Sequence, residues 1–98
     1  MEENKLRSYF GFAIKSNSAI FGADSVVNGN KKVCLVAVSE DINETSMKRL
    51  RKKCENQSII LLTFEKGKIA DYTHRENCKC VGVTDKNLAA AIINVRNK

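Results

Sequence analysis

The chain has no proline, no tryptophan and a single histidine, His74, and no apolar run, Val33 to Val38 included, exceeds six residues. Each scarcity removes a class of protein. Such a run is far short of the roughly 20 apolar residues a helix needs to cross a bilayer, and Met1-Glu2-Glu3-Asn4-Lys5 lacks the apolar segment of a secretion signal. General acid–base catalysis most often draws on histidine, and neither a Gly-x-Gly-x-x-Gly nor a Walker loop is present to cradle a nucleotide. The five glycines, at 11, 22, 29, 67 and 82, do not cluster. No enzyme activity, catalytic residue or cofactor is expected.

Four cysteines, Cys34, Cys54, Cys78 and Cys80, are too few and too scattered for a disulfide scaffold. Reduced thiols and a cytoplasmic location follow as the expectation, which makes the Asn43-Glu44-Thr45 and Asn56-Gln57-Ser58 sequons chance matches. His74, Cys78 and Cys80 offer three metal ligands, with Cys54 or Cys34 as a fourth. Structural zinc sites usually combine two spaced pairs, however, and a lone Cys-x-Cys is not that pattern. Small buried hydrophobes at the start of a strand, with 78 and 80 on the same face, is the expected reading, and no metal is expected.

What the chain does have is 98 residues, 43% hydrophobic and 29% charged. That composition fits one compact domain spanning residues 1–98 and excludes disorder, collagen and a multidomain enzyme. A domain of this size buries roughly two thirds of its unfolded surface, enough for one core. Seventeen basic against eleven acidic residues leave a net charge of +6, which favours a polyanionic partner such as RNA, DNA or an anionic surface.

Periodicity gives the order of elements. Leu6, Tyr9, Phe10, Ala13 and Ile14 form one helical stripe. Ala19 to Phe21 reads as a short strand, and residues 23–28 as a brief helix ended by Gly29 and Asn30. Val33 to Val38 is a continuous apolar run of the kind found in a strand buried on both faces. Asp41 or Asn43 can cap a helix over 44–56 whose buried line is Met47, Leu50 and Cys54. Residues 59–64 form another strand, followed by a less regular helix around Ile69, Ala70 and Thr73, weakened by Gly67. Cys80 to Val83 is the last strand. Thr84 or Asp85 caps a final helix with Leu88, Ala91, Ile92 and Val95 on one side. Such alternation predicts an α/β fold with helices on both faces of one sheet.

Residues 48–53 carry five cations in six positions. A charged helix face is ordinarily a solvated one, and Glu44 four residues before Lys48 supports the helix without any partner. Acidic residues are nevertheless absent from this run.

The frame Tyr9-Phe10-Gly11-Phe12-Ala13, then 21–27, then Lys32 to Asp41, resembles the small bacterial YlxQ-like branch of the kink-turn-RNA-binding ribosomal protein superfamily. The likeness continues through Lys53-Cys54-Glu55, residues 69–80 and Val81 to Asp85; its most specific pieces are Ala37-Val38-Ser39-Glu40-Asp41 and Val83-Thr84-Asp85-Lys86-Asn87. It implies a three-layer α-β-α sandwich with a mixed four-stranded sheet. It also implies non-catalytic binding of structured RNA, kink-turn-like or ribosomal; a chain that is monomeric when free and has no membrane association is expected beside it.

In that family a Gly-x-Asn-Glu-x-x-Lys segment opening the second helix reads paired bases of the kink-turn, helped by a loop before the last strand. Gly22 keeps its place here, whereas Asp24 stands for Asn, Ser25 for Glu and Asn28 for Lys. Asp24 puts a negative charge near phosphates and Asn28 removes a positive one. Lys31 or Lys32 falls near the position of the missing lysine. The second contact loop corresponds to His74, Arg75, Glu76, Asn77 and Cys78. RNA binding weaker than in archetypal relatives, or through a different motif, is therefore expected. The alternative is a protein-interaction module that keeps the fold without kink-turn recognition.

Overall fold

The computed structural model describes residues 2–97. Nine elements follow in chain order: α1 (Glu2–Lys15), β1 (Ala19–Phe21), α2 (Ala23–Asn28), β2 (Leu35–Ser39), α3 (Glu44–Gln57), β3 (Ile60–Phe64), α4 (Lys68–Thr73), β4 (Cys80–Val83) and α5 (Lys86–Arg96). The strands form one sheet in the order β1-β4-β2-β3. β4 runs antiparallel to both β1 and β2, while β2 and β3 are parallel and joined through α3. β1, β2 and β3 therefore point the same way, and the late strand β4 is inserted between the first two.

Side-chain alternation along the strands sorts the core into two layers. Leu35, Ala37, Val81 and Val83 face α1, α4 and α5, where they pack with Phe10, Tyr72 and Ile92. Val36, Val38 and Cys80 face α2 and α3, where they pack with Val26, Leu50 and Cys54. The α/β, three-layer α-β-α expectation with a mixed four-stranded sheet is thus met. Every residue of β2 is buried. No helix among the described residues is long and apolar enough to cross a membrane.

Local chemistry fixes the boundaries. Asn43, rather than Asp41, caps α3, its Oδ1 accepting from Ser46 N at 2.8 Å. Asp85, rather than Thr84, caps α5, accepting from Asn87 N and Leu88 N. Gly67 does not weaken α4 from within, because it lies just outside as the N-cap with φ +85°. The second strand begins at Leu35, later than the apolar run, yet Val33 is still buried against the α2–α3 layer. In the last helix Ala89 is fully packed where Ala91 was expected. Gly82 allows α2 to lie close on the sheet, since a Cβ there would sit 3.1 Å from Val26 Cγ2.

The expectation for the cysteines also fails. Cys78 and Cys80 do not share a face, because the strand starts only at Cys80 and Asn77 turns the chain before it with φ +63°. Cys80 packs in the α2–α3 layer and Cys78 against the opposite one.

Two ion pairs tie α1 to α4: Arg7 to Asp71 at 2.5 Å and Lys68 to Glu3 at 2.7 Å. Hydrogen bonding from Arg7 holds the Asp71 carboxyl below its usual range, and Lys68 does the same for Glu3. A carboxyl depressed in the folded state stabilises above its unfolded pKa, and that contribution is lost as pH falls through the folded value. Thermal melts at pH 7 and pH 3 are expected to show a larger acid-induced drop for the native chain than for Asp71→Asn. At neutral pH the difference between the two is expected to be small, as the pair is solvent-exposed. Parallel pH curves for the two proteins would remove this account.

Candidate nucleic-acid interface

Where β1 and β2 end, α2 and α3 begin, so two helix starts lie side by side at one end of the sheet. Between them enters the chain that leads into β4. Gly22 makes the first turn possible: its φ of 89° and ψ of 146° lie in a region that side-chain-bearing residues rarely occupy. Its N–H donates to Cys80 O at 3.0 Å, and its carbonyl accepts from Val26 N at 3.1 Å. Sheet edge and helix start are thus coupled through one residue. From the other side, Ser39 N donates to Lys79 O at 2.8 Å, fixing the loop before β4 against the end of β2.

An open cleft of about 440 Å³ results, lined by Gly22, Ala23, Asp24 and Ser25 from α2 and its cap, and by Ile42, Asn43 and Ser46 around the start of α3. Asn77, Lys79 and Cys80 complete it. A second cleft, of about 670 Å³, lies on the far side of α2 and is lined by Ala19, Ile20, Asp24, Ser25, Asn28, Gly29, Asn30 and Lys31. α2 is therefore a short ridge, with Asp24 and Ser25 bordering both depressions.

Charges at the first cleft are interlocked. Asp24, with a side chain 82% exposed, pairs with Arg49 Nη1 of α3 at 2.6 Å. Lys79 Nζ lies 3.2 Å from Asp41 Oδ2, and the Ser39 hydroxyl donates to the other oxygen of the same carboxylate. Hydrogen bonding from Ser39, then Lys79, keeps the Asp41 carboxyl below its usual range, so it is ionised at neutral pH. The Cys80 thiol at the cleft floor is pushed up to about 12, chiefly by burial, and so is protonated and a poor nucleophile. Among the described residues, no group of three or more His, Cys, Asp or Glu side chains is placed to hold a metal ion.

Of the sequence-derived candidates, Gly22, Asp24, Ser25 and Asn77 meet in the first cleft, while Asn28 and Lys31 join Asp24 and Ser25 in the second. Arg75 reaches the same end of the sheet by another route, its guanidinium lying 3.7 Å above the Phe21 ring, next to Gly22 in the chain. Lys32 and His74 are exposed and line neither cleft. His74 instead ends α4 in a left-handed conformation, φ +55°. The cation on Asp24 is Arg49 of α3. Sequence reasoning missed Arg49, Asn43, Ser46 and Lys79 as parts of this surface.

No family model matches the sequence, and no curated protein sequence matches it either. Solved structures do match. A protein of unknown function from Bacillus halodurans superposes with a TM-score of 0.87 over 96% of this chain and 98% of its own, at 22% identity. The Giardia lamblia 15.5kD RNA binding protein superposes with a TM-score of 0.72 over 98% of this chain and 85% of its own, at 14% identity. The shared property is the fold. At these identities the side chains of the cleft are this chain's own, and their chemistry has to be read from them directly.

Proposed function

We propose that this chain is a non-catalytic RNA-binding protein that uses the cleft between the starts of α2 and α3. The observation that carries the reading is the convergence there of Gly22, Ser25, Asn43, Ser46, Asn77 and Lys79, on a fold shared with an RNA binding protein from Giardia lamblia. Asn and Ser side chains both donate and accept at base edges. Lysine supplies charge for phosphate, and the glycine backbone lets a ligand come close. Structured RNA of the kink-turn or ribosomal kind is the class proposed, in a cytoplasmic setting.

Asp24 is the residue that tempers this affinity. It adds a negative charge at the rim of the cleft and binds Arg49, a cation otherwise available to phosphate. Its replacement by Asn is expected to tighten RNA binding by about tenfold, or ~1.4 kcal/mol.

The experiment is a titration of a kink-turn RNA, a scrambled hairpin and a duplex DNA with the native chain and Asp24→Asn, each at two salt concentrations. The kink-turn RNA is expected to bind tightest, with affinity falling steeply as salt rises. Equal weak binding to all three would remove kink-turn recognition. Absence of binding at low salt would remove RNA altogether and leave a protein-interaction module as the better account.

A further inference from the structure

The five cations of α3 look like one face in the sequence, but the fold divides them. Lys48 and Arg51 line a depression together with Glu40 and Glu44, so carboxylates stand beside them. Arg49, Lys52 and Lys53 line a different groove with Val27, Asn56 and Gln57, about 260 Å³ in volume, to which no carboxylate contributes. This second groove is the seam between α2 and α3. Arg49 pairs with Asp24, and Lys53 Nζ donates to Val27 O at 3.2 Å. The two helices therefore run in the same direction, and the seam leads away from the cleft at their starts.

We infer that the α2–α3 seam is a second phosphate-contact surface, on which Lys52 and Lys53 carry the backbone of the RNA onward from the cleft. The inference rests on the RNA-binding reading and extends its footprint. Charge complementarity commits the seam to a polyanion, since Lys52 and Lys53 face it without a lining acid, while the Arg49 charge is met by Asp24. Continuity commits it to the same RNA, because Arg49 touches Asp24, which borders the cleft. From Ser46 in the cleft to Gln57 at the end of the seam, α3 rises about 16 Å at ~1.5 Å per residue, long enough to follow several nucleotides of a strand.

The test compares two double variants that remove the same charge from the same helix, Lys52→Gln/Lys53→Gln in the seam and Lys48→Gln/Arg51→Gln beside the carboxylates. Each is titrated with a kink-turn RNA bearing a helical arm, between about 50 and 200 mM salt, after circular dichroism shows it folded. Lys52→Glu, at an exposed position, repeats the seam test without disturbing the bond from Lys53 to Val27. The seam variants are expected to lose about tenfold in affinity at low salt and to flatten the log–log salt slope by roughly 1 to 2. The other pair is expected to stay within about twofold of the native chain. Equal losses from both pairs, or none from the seam, would overturn the inference. An unchanged seam variant alongside a weakened Lys79→Gln would do so while leaving the cleft as the RNA site. No binding of any RNA by the native chain would bring down both.

Discussion

Phe10→Ala is expected to destabilise the fold by about 3–5 kcal/mol, the usual range for removing a fully packed aromatic ring. Phe10 is 1% exposed and comes from the middle of α1. Its ring stacks on Tyr72 of α4 with centroids 5.5 Å apart, and meets Phe64 of β3 edge-on at 6.1 Å. Phe64 and Tyr72 complete the triad at 6.0 Å. Three elements thus depend on one side chain, and alanine leaves a cavity among groups fixed by separate secondary structures. Domains of this size have roughly 5–15 kcal/mol of stability in total, and ~1 kcal/mol moves the melting temperature by about 4–8 °C. Urea unfolding followed by circular dichroism measures the effect directly. A loss below about 1 kcal/mol would mean that neighbouring side chains refill the site, and the triad would then not be a cornerstone of this layer.

Gly22→Ala is expected to act on both stability and binding. Beyond Gly22 and its two chain neighbours no atom lies within 4 Å of the position a Cβ would take, so the cost is conformational rather than steric. Relaxing φ toward negative values would break the bond to Cys80 O or the first turn of α2, because both polar groups of Gly22 are engaged. Strain of about 1–3 kcal/mol is therefore expected to remain in the folded state. The same substitution at Gly67, also at positive φ but outside the cleft, provides the comparison. Both variants are expected to melt earlier, and only Gly22→Ala is expected to lose RNA affinity, by about tenfold or more. Identical RNA binding by the two would show that the backbone at Gly22 does not approach the ligand.

The elements themselves were legible because their periodicities are clean. Leu6, Phe10 and Ala13 gave α1, and the apolar residues before Ser39 gave a strand buried on both faces. Caps were legible as alternatives, and side-chain geometry then selected Asn43 and Asp85. The candidate site was half legible. Gly22 and Asn77 could be placed by resemblance to a family pattern, but Lys79 and Arg49 could not, since nothing in the linear order says that β4 enters between β1 and β2. The same insertion brings the 74–79 loop against the starts of α2 and α3. Likewise, residues 48–53 show five cations in six positions, and only the position of α2 beside α3 separates the acid-flanked pair from the seam.

The bond from Gly22 N to Cys80 O has a consequence for how the protein is made. Among the described residues β1 pairs in the sheet with β4 alone, so a strand synthesised early has no partner until most of the chain has followed. Pairing of this kind is distant in sequence and slow relative to local helix formation. The cleft therefore comes into being with the last strand: a growing chain exposes its cations well before it has a site. If the cleft is the RNA site proposed above, selective recognition can begin only when the sheet closes.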